Sequence, residues 1–172
     1  KVRSGQWHLN NIESVLFDKD GTLIDSHCYW GRIIERRATA IVAAYNLEKS
    51  YFQELSLIMG YSLPIRRLRP EGPIALVSRE EVIAIVSRFL NSRNIPAISS
   101  ELDKIFIDEH NAFLPEIYDY VRILPGVREL LFQLKEHSIK VAVVTTDTVT
   151  NTNQILTYLQ IGNFFDAVIG KE

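Results

Sequence analysis

Cysteine is nearly absent from this chain: Cys28 stands alone among 172 residues. No internal disulfide can form, and a cytoplasmic setting is the expectation. Methionine is equally scarce, with Met59 the single one, and the chain does not begin with it. Neither sign of charge is in excess, since the formal net charge is −2. That excludes a basic footprint for nucleic acid and a polybasic patch for a membrane surface. No apolar run approaches the ~18–20 residues that a membrane span needs. The first eight residues, Lys1 to His8, carry charge but no apolar signal core. Internal repeats and low-complexity segments are also missing. The remainder is ordinary for a globular protein, with 47 % hydrophobic and 23 % charged residues. The length suits one domain, or one domain with an insert.

The hydrophobic pattern changes character twice along the chain. Ile12 to Phe17 reads as a strand whose end, Val15-Leu16-Phe17, is apolar on both faces. That pattern suits a buried central strand of a parallel sheet. From about residue 29 to 122 the spacing is almost wholly helical. Ile33, Ile34, Ala38, Ile41, Val42 and Tyr45 recur at helical intervals. Ser50 to Met59 forms a second helix, closed by Gly60. A loop follows through Pro64, Pro70, Gly72 and Pro73, carrying Arg66, Arg67 and Arg69. Ser78-Arg79-Glu80-Glu81 has the spacing of a capping box and opens a third helix. Ser100 starts a fourth, which runs to about Tyr120 with a break near Pro115.

After residue 122 helices and strands alternate. Leu124-Pro125-Gly126-Val127 opens a helix, and Ile139 to Val144 is a strand ending at Thr145-Thr146-Asp147. A helix carrying Ile155, Leu156 and Leu159 ends at Gly162, and Ala167-Val168-Ile169 is a third strand. These spacings predict right-handed crossovers in a parallel sheet. The predicted fold class is therefore α/β, a Rossmann-like parallel sheet with three strands present and an inserted all-α block. The predicted organisation is an incomplete α/β core at 1–28 and 123–172, interrupted by a helical insert at 29–122.

Ligands of open parallel sheets sit at the carboxyl ends of strands. Asp18 and Asp20 lie at the end of the first strand, and Thr145 lies at the end of the second. Side chains two apart in extended chain share a face, so the two carboxylates would repel unless one keeps a proton or a cation binds. Such a pair can supply a nucleophile that attacks phosphorus and a group that gives and takes protons. Gly21 lets the backbone approach a ligand closely. The Thr145 hydroxyl and the amides around Thr146 can bind phosphate oxygens, with Asp147 a weaker candidate beside them.

The stretch Phe17-Asp18-Lys19-Asp20-Gly21-Thr22-Leu23-Ile24-Asp25-Ser26 resembles the first motif of the haloacid dehalogenase-like hydrolases. Ile139 to Thr145 is similar to their second motif, an apolar strand ending in Thr or Ser. Ile123-Leu124-Pro125-Gly126-Val127 resembles the phosphoglycolate-phosphatase-like branch. The resemblance implies that Asp18 is the nucleophile and a magnesium ligand. It implies that Asp20 is the general acid/base and binds Mg²⁺ through its backbone carbonyl. Thr145 would hold the phosphoryl group, and the helical block would be a cap. The implied substrate is a small phosphorylated metabolite.

Asp20 selects among the chemistries of that superfamily. Dehalogenases generally lack this aspartate, and transport ATPases carry Thr in its place and need membrane spans. Phosphomutases keep both aspartates but more often have Val where Thr22 stands. The expectation is a phosphatase, with a sugar-phosphate phosphomutase and a non-catalytic module as alternatives. A phosphoaspartate receiver domain is a more distant alternative, because its acceptor aspartate sits on an interior strand of a shorter chain with no helical insert. The family's lysine and acidic-pair motifs should follow the third strand. Lys171 comes early for the lysine, and the acidic pair and its strand have no counterpart. The expectation is thus a piece of a longer protein, or one completed by another chain.

The remaining polar residues read more simply. Arg66, Arg67 and Arg69 either grip an anionic substrate or face solvent. Asp25 and Ser26 read as a helix N-cap. His8, His27, His110 and His137 show no ligand spacing. Cys28 reads as a small buried apolar residue, and Tyr29 and Trp30 as core.

Overall fold

The computed structural model describes residues 2–4 and 7–171, with the backbone alone for residues 2–4 and 7–9 and for Ala75. Lys1, Gly5, Gln6 and Glu172, part of the two termini read above, lie outside the described residues. The chain divides into two units, one of residues 1–25 and 121–172, the other of residues 26–120.

The first unit begins with a short antiparallel pair, β1 (Val2–Ser4) and β2 (Trp7–Leu9), that the sequence pattern does not announce. Next comes β3 (Ser14–Phe17). The second unit then holds α1 (Ser26–Ala44), α2 (Ser50–Ile58), β4 (Tyr61–Ser62), β5 (Arg67–Leu68), α3 (Arg79–Ser92), α4 (Ser99–Phe113) and α5 (Ile117–Tyr120). The chain finally returns to the first unit through α6 (Val127–Glu136), β6 (Lys140–Thr148), α7 (Val149–Tyr158) and β7 (Ala167–Lys171). Among the described residues no helix is long and apolar enough to cross a membrane.

The helical unit has its own core. Ile34, Ile41, Leu55, Val86, Leu90, Leu102 and Phe106 are all buried in one cluster. Removing each such side chain from water contributes about 1.5–3 kcal/mol. Ser78 starts α3 as its spacing predicts. Its Oγ accepts from the Glu81 N–H at 3.3 Å, and the Glu81 carboxylate accepts from the Ser78 N–H at 3.1 Å. Pro115 breaks the fourth helix into α4, a 3₁₀ turn (Leu114–Glu116) and α5.

Two details of this unit differ from the sequence reading. Residues 64–73 are not a plain loop within an all-α block. β4 and β5 form a two-rung antiparallel hairpin, Tyr61 with Leu68 and Ser62 with Arg67. Two glycines permit it: a Cβ on Gly72 would stand 2.6 Å from the Gly60 Cα. Cys28 is exposed rather than buried. It faces away from the stripe of Gly31, Ile34, Ala38 and Ile41 that α1 buries.

The first unit is built on a parallel sheet of order β3-β6-β7. Phe17 pairs with Val143 in the last rung between β3 and β6, and Ile169 pairs with Val144 between β7 and β6. Among the three strands present β6 takes the middle, and its Val141 and Val143 are buried. β3 pairs on one side only, with β6, and Leu16 is 66 % exposed. Its second face meets no covering element among the described residues, so the apolar run is only half buried. β6 also runs past its expected end to Thr148, with an irregularity between Val144 and Thr148.

Candidate active site

The strand end after Phe17 is turned by a compact set of backbone bonds. The Lys19 carbonyl accepts from the amides of Leu23 at 3.0 Å and Ile24 at 3.1 Å. The Gly21 amide donates to the Ile24 carbonyl at 2.9 Å, with Gly21 at φ 84°. A residue with a Cβ is strained there, so glycine is what the turn requires. Leu23 and Ile24 are buried and anchor the turn, and Leu124 donates its amide to the Leu23 carbonyl at 3.0 Å. Three side chains emerge from this anchored turn in different environments. Asp18 is exposed, Lys19 is buried and Asp20 is half-buried.

The structure thus brings Asp18 and Asp20 to the carboxyl end of β3, beside the carboxyl end of β6. Asp18 follows Phe17 by one residue and Thr145 follows Val143 by two, so both leave the same rung. Among the described residues Asp18 makes no salt bridge. Thr145 is half-buried, and its Oγ1 accepts from the Asp147 N–H at 3.2 Å. Thr146 is exposed and stands outside this network, as does the Gly21 backbone.

Lys19, which the sequence argument did not assign to the site, and Asp147, a weaker candidate there, are central to its geometry. The Lys19 ammonium lies 3.0 Å from an Asp20 carboxylate oxygen and 2.9 Å from Asp147 Oδ2. Asp147 is itself fixed: Oδ1 accepts from the Thr148 N–H at 2.8 Å and Oδ2 from Asn151 Nδ2 at 2.6 Å. The signal in the sequence was a lysine between two aspartates, in a segment that folds into a buried turn. Pattern alone could not pair it with a residue 128 positions away (147 − 19).

Electrostatics separates the charged groups. Burial pushes the Asp20 carboxyl above its usual range; Lys19 opposes that shift, while Asp147 and Asp18 add to it. Burial alone would lower the Lys19 ammonium, but the Asp20 and Asp147 carboxylates outweigh it and hold the group above its ordinary value. One cation is therefore shared between two carboxylates, Asp20 and Asp147. A carboxyl raised in this way can retain a proton for transfer, whereas the exposed Asp18 is open to a ligand.

Oxygen donors of this kind suit a hard cation. Among the described residues no cluster of three or more His, Cys, Asp or Glu side chains forms a metal cage. The Asp18 carboxylate with the Asp20 backbone carbonyl is nevertheless a fitting donor set for Mg²⁺, which keeps several waters and takes only one or two carboxylates.

Comparison with known proteins gives a consistent result. A family model described as haloacid dehalogenase-like hydrolase matches residues 12–172. A phosphoglycolate phosphatase of Caulobacter vibrioides is 28 % identical over 165 residues, which is 96 % of this chain and 60 % of that protein. The chain spans 60 % and 59 % of the length of the curated relatives it matches. Among solved structures, a predicted phosphoglycolate phosphatase from Haemophilus somnus 129PT aligns with a TM-score of 0.65 at 19 % identity. That alignment covers 95 % of this chain and 64 % of the other. A subfamily IA hydrolase from Geobacter sulfurreducens PCA aligns with a TM-score of 0.57 at 17 % identity, over 92 % and 62 % of the two chains. At these identities the solved structures speak to the fold.

Proposed function

The chain belongs to the haloacid dehalogenase-like hydrolase family, and from that premise we propose that it carries the nucleophile end of a magnesium-dependent phosphomonoesterase site. The observation that carries the reading is the contrast between two neighbouring aspartates. Asp18 is exposed and outside the ion-pair network, while Asp20 is half-buried with its carboxyl raised by burial. That is the division of labour that a nucleophile and a general acid require.

In this mechanism an Asp18 oxygen attacks phosphorus in line with the ester oxygen. The P–O ester bond breaks, and the Asp20 carboxyl gives its proton to the departing alcohol. Asp20, now ionised, takes a proton from water as that water attacks the phosphorus of the Asp18 acyl phosphate. Inorganic phosphate leaves and both aspartates are regenerated. Thr145 and the amides near Thr146 hold the non-reacting phosphoryl oxygens, and Gly21 lets the backbone approach them closely. Asp18 and Asp20 would hold Mg²⁺, which when bound neutralises charge on the phosphoryl group.

The substrate is a small phosphorylated metabolite, met in the cytoplasm. The phosphoglycolate phosphatase from Caulobacter supports a small acidic phosphomonoester. The helical unit takes the part of the cap, which selects among substrates. We place no nucleic acid and no membrane among the partners.

The test is turnover of p-nitrophenyl phosphate with Mg²⁺. Asp18→Asn abolishes release of phosphate in this account, and retained activity would sink the mechanism. Asp20→Asn slows turnover by about 10²–10⁴-fold, the usual share of a general acid/base. With a sugar phosphate as substrate, free phosphate is the expected product. An isomerised sugar phosphate would instead identify a mutase.

A further inference from the structure

The proposed reaction uses two of the three carboxylates at the strand ends and leaves the cation among them without a role. Lys19 is 3 % exposed. Lysines are almost never so buried unless paired, because each desolvated ion costs several kcal/mol. Here the two ion pairs, at 3.0 and 2.9 Å, offset that cost.

The partners of Lys19 are not equivalent. Asp147 is anchored from three sides: the Thr148 amide and Asn151 Nδ2 bind its two oxygens, and its own amide is tied to Thr145 Oγ1. Asp20 has Lys19 as its only salt-bridge partner among the described residues. A fixed carboxylate thus holds a buried ammonium, and the ammonium holds a carboxylate with no other side-chain anchor among the described residues. The chain of contacts Thr145–Asp147–Lys19–Asp20 joins the residue assigned to phosphoryl binding with the residue assigned to proton transfer. Without its cation, Asp20 would face the like charges of Asp18 and Asp147, which drive a carboxylate toward solvent.

We propose that Lys19 and Asp147 are a positioning pair for Asp20, with Asp147 as the anchor and Lys19 as the strut that sets where the Asp20 carboxylate stands. The inference rests on the phosphatase reading above for its kinetic consequence, but not for its geometric one. Neither residue touches substrate. A pair that served only to hold two strands together would move stability and leave the kinetics alone. A positioning pair lowers kcat and spares KM, because binding of the ground state does not depend on Asp20. It also raises the fraction of enzyme trapped as the Asp18 acyl phosphate, whose hydrolysis needs Asp20 as base.

The experiment is a double-mutant cycle on the full chain with Lys19→Met, Asp147→Asn and the double variant, assayed with p-nitrophenyl phosphate and Mg²⁺. Each variant is also crystallised. Lys19→Met is expected to lower kcat about 10²-fold, the lower end of a general acid/base contribution, with KM changed less than about threefold. Asp147→Asn is expected to lower kcat, and the double variant to be no slower than Lys19→Met, since the second change has nothing left to disturb. Additive losses would overturn the pairing. A kcat within about twofold of the parent in Lys19→Met, with only the thermal midpoint lowered, would reduce the pair to structural glue. Should Lys19→Met not fold, Asp147→Asn decides by the same kcat and KM criteria. The crystal structures decide independently of activity: Asp20 is displaced in Lys19→Met, and an unmoved Asp20 carboxylate overturns the proposal. A parent protein that neither hydrolyses the ester nor labels Asp18 would overturn the phosphatase reading, and the position of Asp20 would still decide this one.

Discussion

Gly170 of β7 lies against the backbone of Asp147 so closely that a Cβ there would stand 2.5 Å from the Asp147 carbonyl oxygen. It would also stand 3.0 Å from the Val149 amide nitrogen. These neighbours are main chain at the junction of β6 and α7, where no side chain can swing aside. Gly170→Ala therefore forces the strands apart at the site. The expected cost is about 1–3 kcal/mol, the range for overpacking a tight contact. A urea titration of the two proteins measures it, and equal midpoints would show that β7 can yield at this point.

At the other end of β6 the ion pair of Lys140 with Asp166 is fully accessible to pH. Asp166 accepts from the Lys140 ammonium at 2.8 Å and from the Val141 amide at 2.9 Å. Both bonds favour the carboxylate and hold its pKa below the ordinary 3.8, and the same partner holds Lys140 above 10.5. A carboxyl lowered on folding stabilises the protein above its unfolded value and loses that contribution as pH falls through the folded value. The difference in thermal midpoint between the parent and Asp166→Asn should therefore be constant at pH 5–7 and narrow below 3.8. A difference that persists unchanged under acid would show that the carboxylate charge is immaterial. The effect is small, because water screens an exposed pair.

Arg37 presents the opposite situation in the helical unit. Its guanidinium is buried, 4.2 Å above the Phe106 ring, and its Nε has no hydrogen-bond partner among the described residues. Burial lowers its pKa to about 10. No carboxylate pairs with it among the described residues, so the cation–π contact, worth about 2 kcal/mol, stands against a larger desolvation cost. Arg37→Met keeps the bulk over Phe106 and should leave stability equal or higher. Arg37→Ala opens a cavity there and should cost about 2–4 kcal/mol. Thermal or denaturant unfolding of both variants checks the order, and a strongly destabilised Met variant would contradict it.

What was legible in the sequence is what depends on local chemistry. Ser78 and Glu81 announce the start of α3 because a capping box is made of neighbours. Gly60, Pro115 and the apolar spacing of α1 mark their elements for the same reason. The Asp18-Lys19-Asp20-Gly21 turn was legible as a site because two acids at the end of an apolar strand have few structural uses. The rest depends on partners distant in sequence or on which face of an element a residue takes. The β4–β5 hairpin depends on the close approach of Gly60 and Gly72, which no local pattern displays. Cys28 was judged by its residue type, whereas its exposure follows from the face of α1 it occupies. The role of Lys19 was hidden for the same reason, because its anchor, Asp147, lies on another strand.

The chemistry proposed for this site depends on Asp18 forming the bond to phosphorus. The decisive measurement is rapid acid quench of the protein turning over a radiolabelled phosphomonoester with Mg²⁺, followed by borohydride reduction and mass mapping of the modified residue. The account predicts label at position 18, converted to homoserine by the reduction, and none in Asp18→Asn. Turnover without any covalent intermediate, or label at Thr145 or a histidine, would contradict it.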